Sequence, residues 1–129
     1  MDLKVLGLFL LRVSLGAVFM THGWAKIQGI EGTVGFFASL GFAPFLAYVV
    51  AYVEFLGGLA VLLGLFSRVA AYLLAVVMVV AIYSVNMKMG FWGGYELKLM
   101  LLTSALVVAW SGSGPYSFSG KMCGCGNCM

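Results

Sequence analysis

Charge is scarce in this chain, and what there is lies thinly spread. Only 9% of the 129 residues are charged, against about 25% in ordinary globular domains. By contrast 64% are hydrophobic and the mean hydropathy is +1.12. A soluble domain of this length could not cover so much apolar surface with so few polar side chains, so a water-soluble fold is excluded. The net charge of +3 comes from scattered residues rather than a basic stripe, and no Gly-rich loop followed by Lys and Ser or Thr is present to cradle phosphate. Nucleic acid is therefore excluded as a partner. No flavin, haem or iron–sulfur motif is evident, so electron-transfer chemistry would need a partner or a cofactor from outside the sequence.

What fills the chain instead is long apolar runs. About 20 residues of helix cross the hydrocarbon layer, within a range of about 17 to 25. The runs Lys4 to Met20, Ala43 to Leu65, Val69 to Val85 and Gly94 to Trp110 predict an all-α, four-transmembrane-helix bundle surrounded by membrane lipid. The first run has a basic residue ahead of an apolar core, as a signal peptide does, but no small-x-small cleavage site follows and it is read as retained. Gly23 to Phe42 is read as a longer connection lying on the bilayer. Trp24, Trp92, Tyr95 and Trp110 fall at helix ends, where aromatic rings belong. Four spans put both termini on one side, and counting Arg12 with Lys4, Arg68 and Lys121 favours the cytoplasm for that side.

Glu54 is the most informative single residue, a carboxylate near the middle of an apolar run, where ionisable groups are costly and mark function. Counted at 1.5 Å per residue from a shared membrane face, Arg12 and Glu54 come out nearly level. A guanidinium and a carboxylate can then share two hydrogen bonds between helices. Such a pair either fixes helix register or binds the head of a polar ligand or relays a proton. At the opposite face His22 and Lys26 are spaced i,i+4 and share one side of a helix, with Tyr95 and Glu96 entering the fourth span at the same level. This ring would suit a quinone head or another small polar molecule; the plainer reading of His22 is an interfacial cap. Arg68 is read as an interfacial charge, and Gly16, Gly57, Gly58 and Gly64 as devices for close helix packing.

The run Arg12-Val-Ser-Leu-Gly16, then His22-Gly23-Trp-Ala-Lys26, then Glu54-Phe-Leu-Gly57-Gly58 through Gly64-Leu-Phe-Ser-Arg68, and finally Gly94-Tyr95-Glu96 resembles the DoxX family of small membrane proteins. The likeness spans roughly residues 5 to 118. It implies a four-helix bundle in a prokaryotic plasma membrane, with Arg12, Lys26, Glu54, Arg68 and Glu96 at recurring charged positions. The related DoxD proteins include a membrane subunit of thiosulfate:quinone oxidoreductase. The resemblance thus implies a DoxX-like domain over residues 1–118, followed by a cysteine-rich tail, 119–129.

The tail departs from that pattern. Cys123, Cys125 and Cys128 fall within six positions and are separated by glycines that let their sulfurs converge. Three thiolates suit Cu(I) or Zn(II), with Met129 as a weak thioether ligand. A fourth strong ligand would have to come from elsewhere, and a disulfide with one exchanging thiol is the redox reading of the same residues. The favoured function is a membrane subunit of a redox assembly, acting with a protein partner or as an oligomer, that accommodates a quinone or related aromatic electron carrier. The alternatives are a proton-coupled small-molecule transporter using Glu54, against which a nearby Arg12 counts, and a structural membrane partner without catalysis.

Overall fold

The computed structural model describes residues 2–84 and 96–112. The Asp2 carboxylate accepts a hydrogen bond of 3.2 Å from the Lys4 backbone N–H and caps the first helix. From there α1 runs over Leu3–Gln28, about 39 Å at 1.5 Å per residue. The expected end at Met20 is overrun because nothing between Met20 and Gly29 breaks the helix. His22 and Lys26 therefore share one side of a continuous helix, as their spacing implied, and the connection expected from Gly23 to Phe42 is in part the last turns of α1. Gly29 ends α1, its N–H donating to the Ala25 carbonyl at 3.0 Å. A short helix, α2 (Ile30–Ser39), follows with none of its residues fully buried. The Thr33 hydroxyl donates to the carbonyls of Gly29 at 3.1 Å and Lys26 at 3.4 Å, tying the start of α2 to the end of α1.

Gly41 turns the chain at φ +85°, and Pro44 opens α3 (Pro44–Leu63) at a position where its missing N–H costs nothing. Gly64 closes α3 in the left-handed conformation at φ +78°, its N–H directed to the carbonyls of Ala60 and Val61. Phe66 completes the tight turn at φ +47°, and α4 (Ser67–Ser84) begins at the next residue. The last described helix, α5 (Glu96–Ser111), ends at Gly112, where φ is +79°.

Helices α1 and α3 pack antiparallel at a separation that only glycine permits. A Cβ on Gly16 would lie 2.7 Å from the Gly58 carbonyl oxygen and from the Leu62 nitrogen, and one on Gly58 would lie 2.6 Å from the Met20 nitrogen. Gly23 is pressed in the same way against the Phe55 backbone. The contact fixes the register: Gly16 faces residues 58–62 and Gly23 faces Phe55. The other expected packing glycines divide. Gly57 faces α4, where a Cβ would meet Leu74 Cδ2 at 3.2 Å, whereas Gly64 serves the turn.

The partition of side chains is that of a molecule dissolved in lipid. Leu3, Phe45, Phe66, Tyr83 and Trp110 are exposed, while Arg12, Glu54 and Ser67 are buried. The apolar centre is built from Leu15, Phe19, Val61, Leu74, Met78 and Val108, with the small residues Ala70, Ala71, Ala75, Ala105 and Ala109 filling between the helices. Without a hydrophobic force between helices in lipid, such packing of small side chains is what holds a bundle together.

The four-span expectation is corrected by helix lengths. Among the described residues there are five helices, and three of them, α1, α3 and α4, are long and apolar enough to cross a membrane. The expected fourth span is α5, of 16 residues, about 24 Å long. That falls short of the roughly 30 Å hydrocarbon layer, and Glu96 and Lys98 occupy its first turn. The placement of both termini on one side rested on four spans and is not carried by three.

Candidate functional site

Glu54 is 1% exposed, so its carboxylate must find a partner inside the bundle. The partner is Lys26, whose Nζ lies 2.5 Å from Glu54 Oε2. The local sequence accounts for this. Gly23 lets α3 approach at Phe55, and Lys26, three residues on and on the same face of α1, then reaches the residue before Phe55. Lys26 stands in the last turn of α1, where the helix dipole also favours a cation. Its side chain is 32% exposed while that of Glu54 is 2% exposed, so the pair joins a buried anion to a cation at an opening.

The expected level of Arg12 with Glu54 is not what the register gives. Arg12 lies fourteen residues before Lys26 on the same helix, about 21 Å along the axis, beyond the reach of both side chains. The depth count assumed that the start of α1 and the end of α3 lie at one membrane face, whereas Gly16, thirteen residues after the start of α1, is what lies against Gly58 and Leu62 near the end of α3. Arg12 is buried instead at the level of the α3–α4 turn, its guanidinium carbon 5.6 Å from the Phe9 ring centroid. Arg68, at the start of α4, packs against Gly112, where an added Cβ would lie 3.0 Å from its Nε. The two arginines thus stand at the end of the bundle away from the Lys26–Glu54 pair.

Beside that pair the five helices enclose a cavity of about 690 Å³. Helix α1 gives it His22 and Lys26, α3 gives Glu54, α5 gives Lys98, and α2 gives Thr33, Phe36 and Phe37. The remaining wall is apolar, from residues such as Phe19, Leu46, Val77 and Leu101. The aromatic side is one connected cluster: Phe36 and Phe37 have ring centroids 6.2 Å apart, and Phe37 and Phe42 6.0 Å apart. Burial pulls the pKa of Lys98, on α5 outside the three spanning helices, below the usual lysine value; the Lys26 charge lowers it further and the Glu54 charge raises it. Lys98 thus shares an electrostatic environment with the pair.

The structure brings together His22, Lys26 and Glu54 of the expected site residues, and sets Arg12 and Arg68 apart. Glu96 begins α5 near this end without lining the cavity. Tyr95 and the tail residues Cys123, Cys125, Cys128 and Met129 lie outside the described residues. Among the described residues, no group of three or more His, Cys, Asp or Glu side chains is arranged to hold a metal. Sequence reasoning passed over Lys98 and the α2 aromatics. The signal for Lys98 was its spacing of seven from Ala105, a core residue, which puts it on the inward face of α5.

The DoxX family model matches residues 7–87, which take in α1 from Gly7 onward, α2 to α4 and both members of the ion pair. The chain belongs to the DoxX family. It is 40% identical over 121 residues to the putative oxidoreductase CatD of Bacillus subtilis (strain 168), covering 90% of each chain. It is 30% identical over 118 residues to the inner membrane protein YqjF of Escherichia coli (strain K12), covering 89% of this chain and 91% of that one. No solved structure matches it. This DoxX protein is thus an integral membrane protein, linked through the family to relatives of oxidoreductase name.

Proposed function

We propose that this DoxX protein is the membrane subunit of a redox assembly and holds a quinone or related aromatic electron carrier in the cavity beside Lys26 and Glu54. The observation that carries the proposal is the cavity itself. At about 690 Å³ it falls within the roughly 300–1,000 Å³ usual for small-molecule sites, and like them it has apolar and aromatic walls around a few convergent polar groups. A bound quinone supplies the electron-accepting ring, and the electrons come from a protein partner. The chain's own residues bind and orient. Lys26 uses one of its three N–H donors on Glu54 and keeps two for a ring carbonyl oxygen. Glu54 holds the ammonium in place, and the Phe36 and Phe37 rings offer faces for stacking. The relative named as a putative oxidoreductase supports the redox class.

Binding of a short-chain quinone to the purified full chain in nanodiscs tests this. Lys26→Met removes a charge-assisted hydrogen bond of about 1.5–3 kcal/mol, and is expected to weaken binding by about ten- to a hundredfold. Unchanged affinity would reject the site. If quinone binding is absent, and liposomes containing the chain alone accumulate a solute in a manner abolished by Glu54→Gln, the transporter reading replaces it.

The cysteine tail is proposed as a separate soft-metal site, resting on the close spacing of Cys123, Cys125 and Cys128 in the sequence. One Cu(I) or Zn(II) per chain is expected by elemental analysis, lost when the three cysteines are replaced by serine. Because thiolates are the ligands, occupancy falls as pH is lowered. A metal content unaffected by the triple replacement would overturn this assignment.

A further inference from the structure

The polar end of the cavity is unbalanced in charge and in hydrogen bonding. Among the described residues its titratable groups are His22, Lys26, Glu54 and Lys98. Two lysines face one carboxylate, so with His22 neutral the site carries one positive charge. Glu96, two residues before Lys98, offers no cancellation inside the cavity: at about 100° per residue it points to the far side of α5, and it does not line the cavity. Glu31, at the start of α2, does not line it either.

The donor excess agrees. Lys26 spends one N–H on Glu54, and Lys98 makes no hydrogen bond or ion pair to a described residue. Among the described residues up to five ammonium N–H groups of the two lysines are thus not taken up. Among the described residues the acceptors are partly taken up, since Glu54 gives one oxygen to Lys26 and the carbonyls of Lys26 and Gly29 accept from the Thr33 hydroxyl. The ligand that fits is rich in acceptors and carries negative charge, on a flat ring that matches the phenylalanine wall.

Building on the reading of the cavity as an aromatic-carrier site, we infer that it selects aromatic monoanions, in which a ring-borne phenolate or enolate oxygen sits between Lys26 and Lys98, over neutral quinones of the same size. Lys98 is the specificity-determining residue. Among the described residues Lys26 is matched by Glu54, and Lys98 is the lining cation that a neutral ligand leaves unmatched. An anion beside it also offsets the cost of desolvating its ammonium.

The test compares two ring systems of nearly equal size, 2-hydroxy-1,4-naphthoquinone, an enolate at neutral pH, and the neutral 2-methyl-1,4-naphthoquinone, by calorimetry on the full chain in nanodiscs. The enolate is expected to bind at least about tenfold more tightly, the yield of one added charge-assisted contact. Lys98→Met is expected to bring the ratio to about twofold or less, and Lys98→Arg, which keeps the charge, to restore most of it. If the native protein binds both compounds equally or prefers the neutral one, charge selection is wrong while the cavity reading stands. If Lys98→Met keeps the preference, the assignment to Lys98 is wrong. If neither compound binds a native protein that still melts cooperatively, the selection and the cavity reading fall together.

Discussion

Lys26→Met is expected to destabilise the protein by about 3–5 kcal/mol, the cost of leaving one member of a buried ion pair without its partner. Glu54→Gln should cost less, about 1–2 kcal/mol for a lost hydrogen bond and an imperfectly satisfied amide. The asymmetry follows from exposure. The Lys26 side chain is 32% exposed and can swing its ammonium outward, whereas the Glu54 carboxylate, 2% exposed, has nowhere to go. Combining the two substitutions should cost little more than Glu54→Gln alone, because the buried charge is then gone. The implied coupling energy is nearly the whole Lys26→Met loss, about 3–5 kcal/mol, at or above the upper end for residues in contact. Thermal unfolding in one detergent of the four proteins in this cycle measures it. Equal and additive losses would show that the pair stores no energy.

Gly58→Val is expected to cost at least about 3 kcal/mol, the upper end for overpacking, and to prevent α1 and α3 from closing. The reason is that the obstacle is backbone. The new Cβ would lie 2.6 Å from the Met20 nitrogen and 2.9 Å from the Gly16 carbonyl oxygen, and neither can rotate away as a side chain could. Spreading the two helices would also draw Lys26 from Glu54, so quinone binding should fall along with stability. Gly35→Ala on α2 is the control, since nothing lies within 4 Å of its Cβ. It should be neutral or stabilising by up to about 1 kcal/mol, because alanine is the better helix former. A Gly58→Val protein as stable as the parent would contradict the packing described for α1 and α3.

The three spanning helices were legible because their signals are local. Pro44 opens α3, Gly64 closes it, and the apolar run between them has the length of a span. The Arg68 turn was equally plain. Where the sequence misled, the deciding quantity was not local. Polar residues from His22 to Lys26 look like the end of a span, yet they continue α1 because a cavity, not the interface, receives them. The partner of Glu54 depends on the register of α1 against α3, which is set by Gly16, Gly23 and Gly58 touching backbone across the helix pair. A depth count from assumed membrane faces carries no such information, and so it chose Arg12 over Lys26. The spacing of His22 and Lys26 gave their common side of α1, while their placement beside Glu54 needed the fold.

The placement of the aromatic carrier is tested most directly by photolabelling the full chain in native membranes with an azido-quinone and mapping the labelled peptides. Label concentrated on residues 26–54, displaced by excess unlabelled quinone and diminished by Lys26→Met, is the predicted result. Label spread over lipid-facing positions of α4 such as Tyr72 and Leu73, and undiminished by competitor, would contradict it.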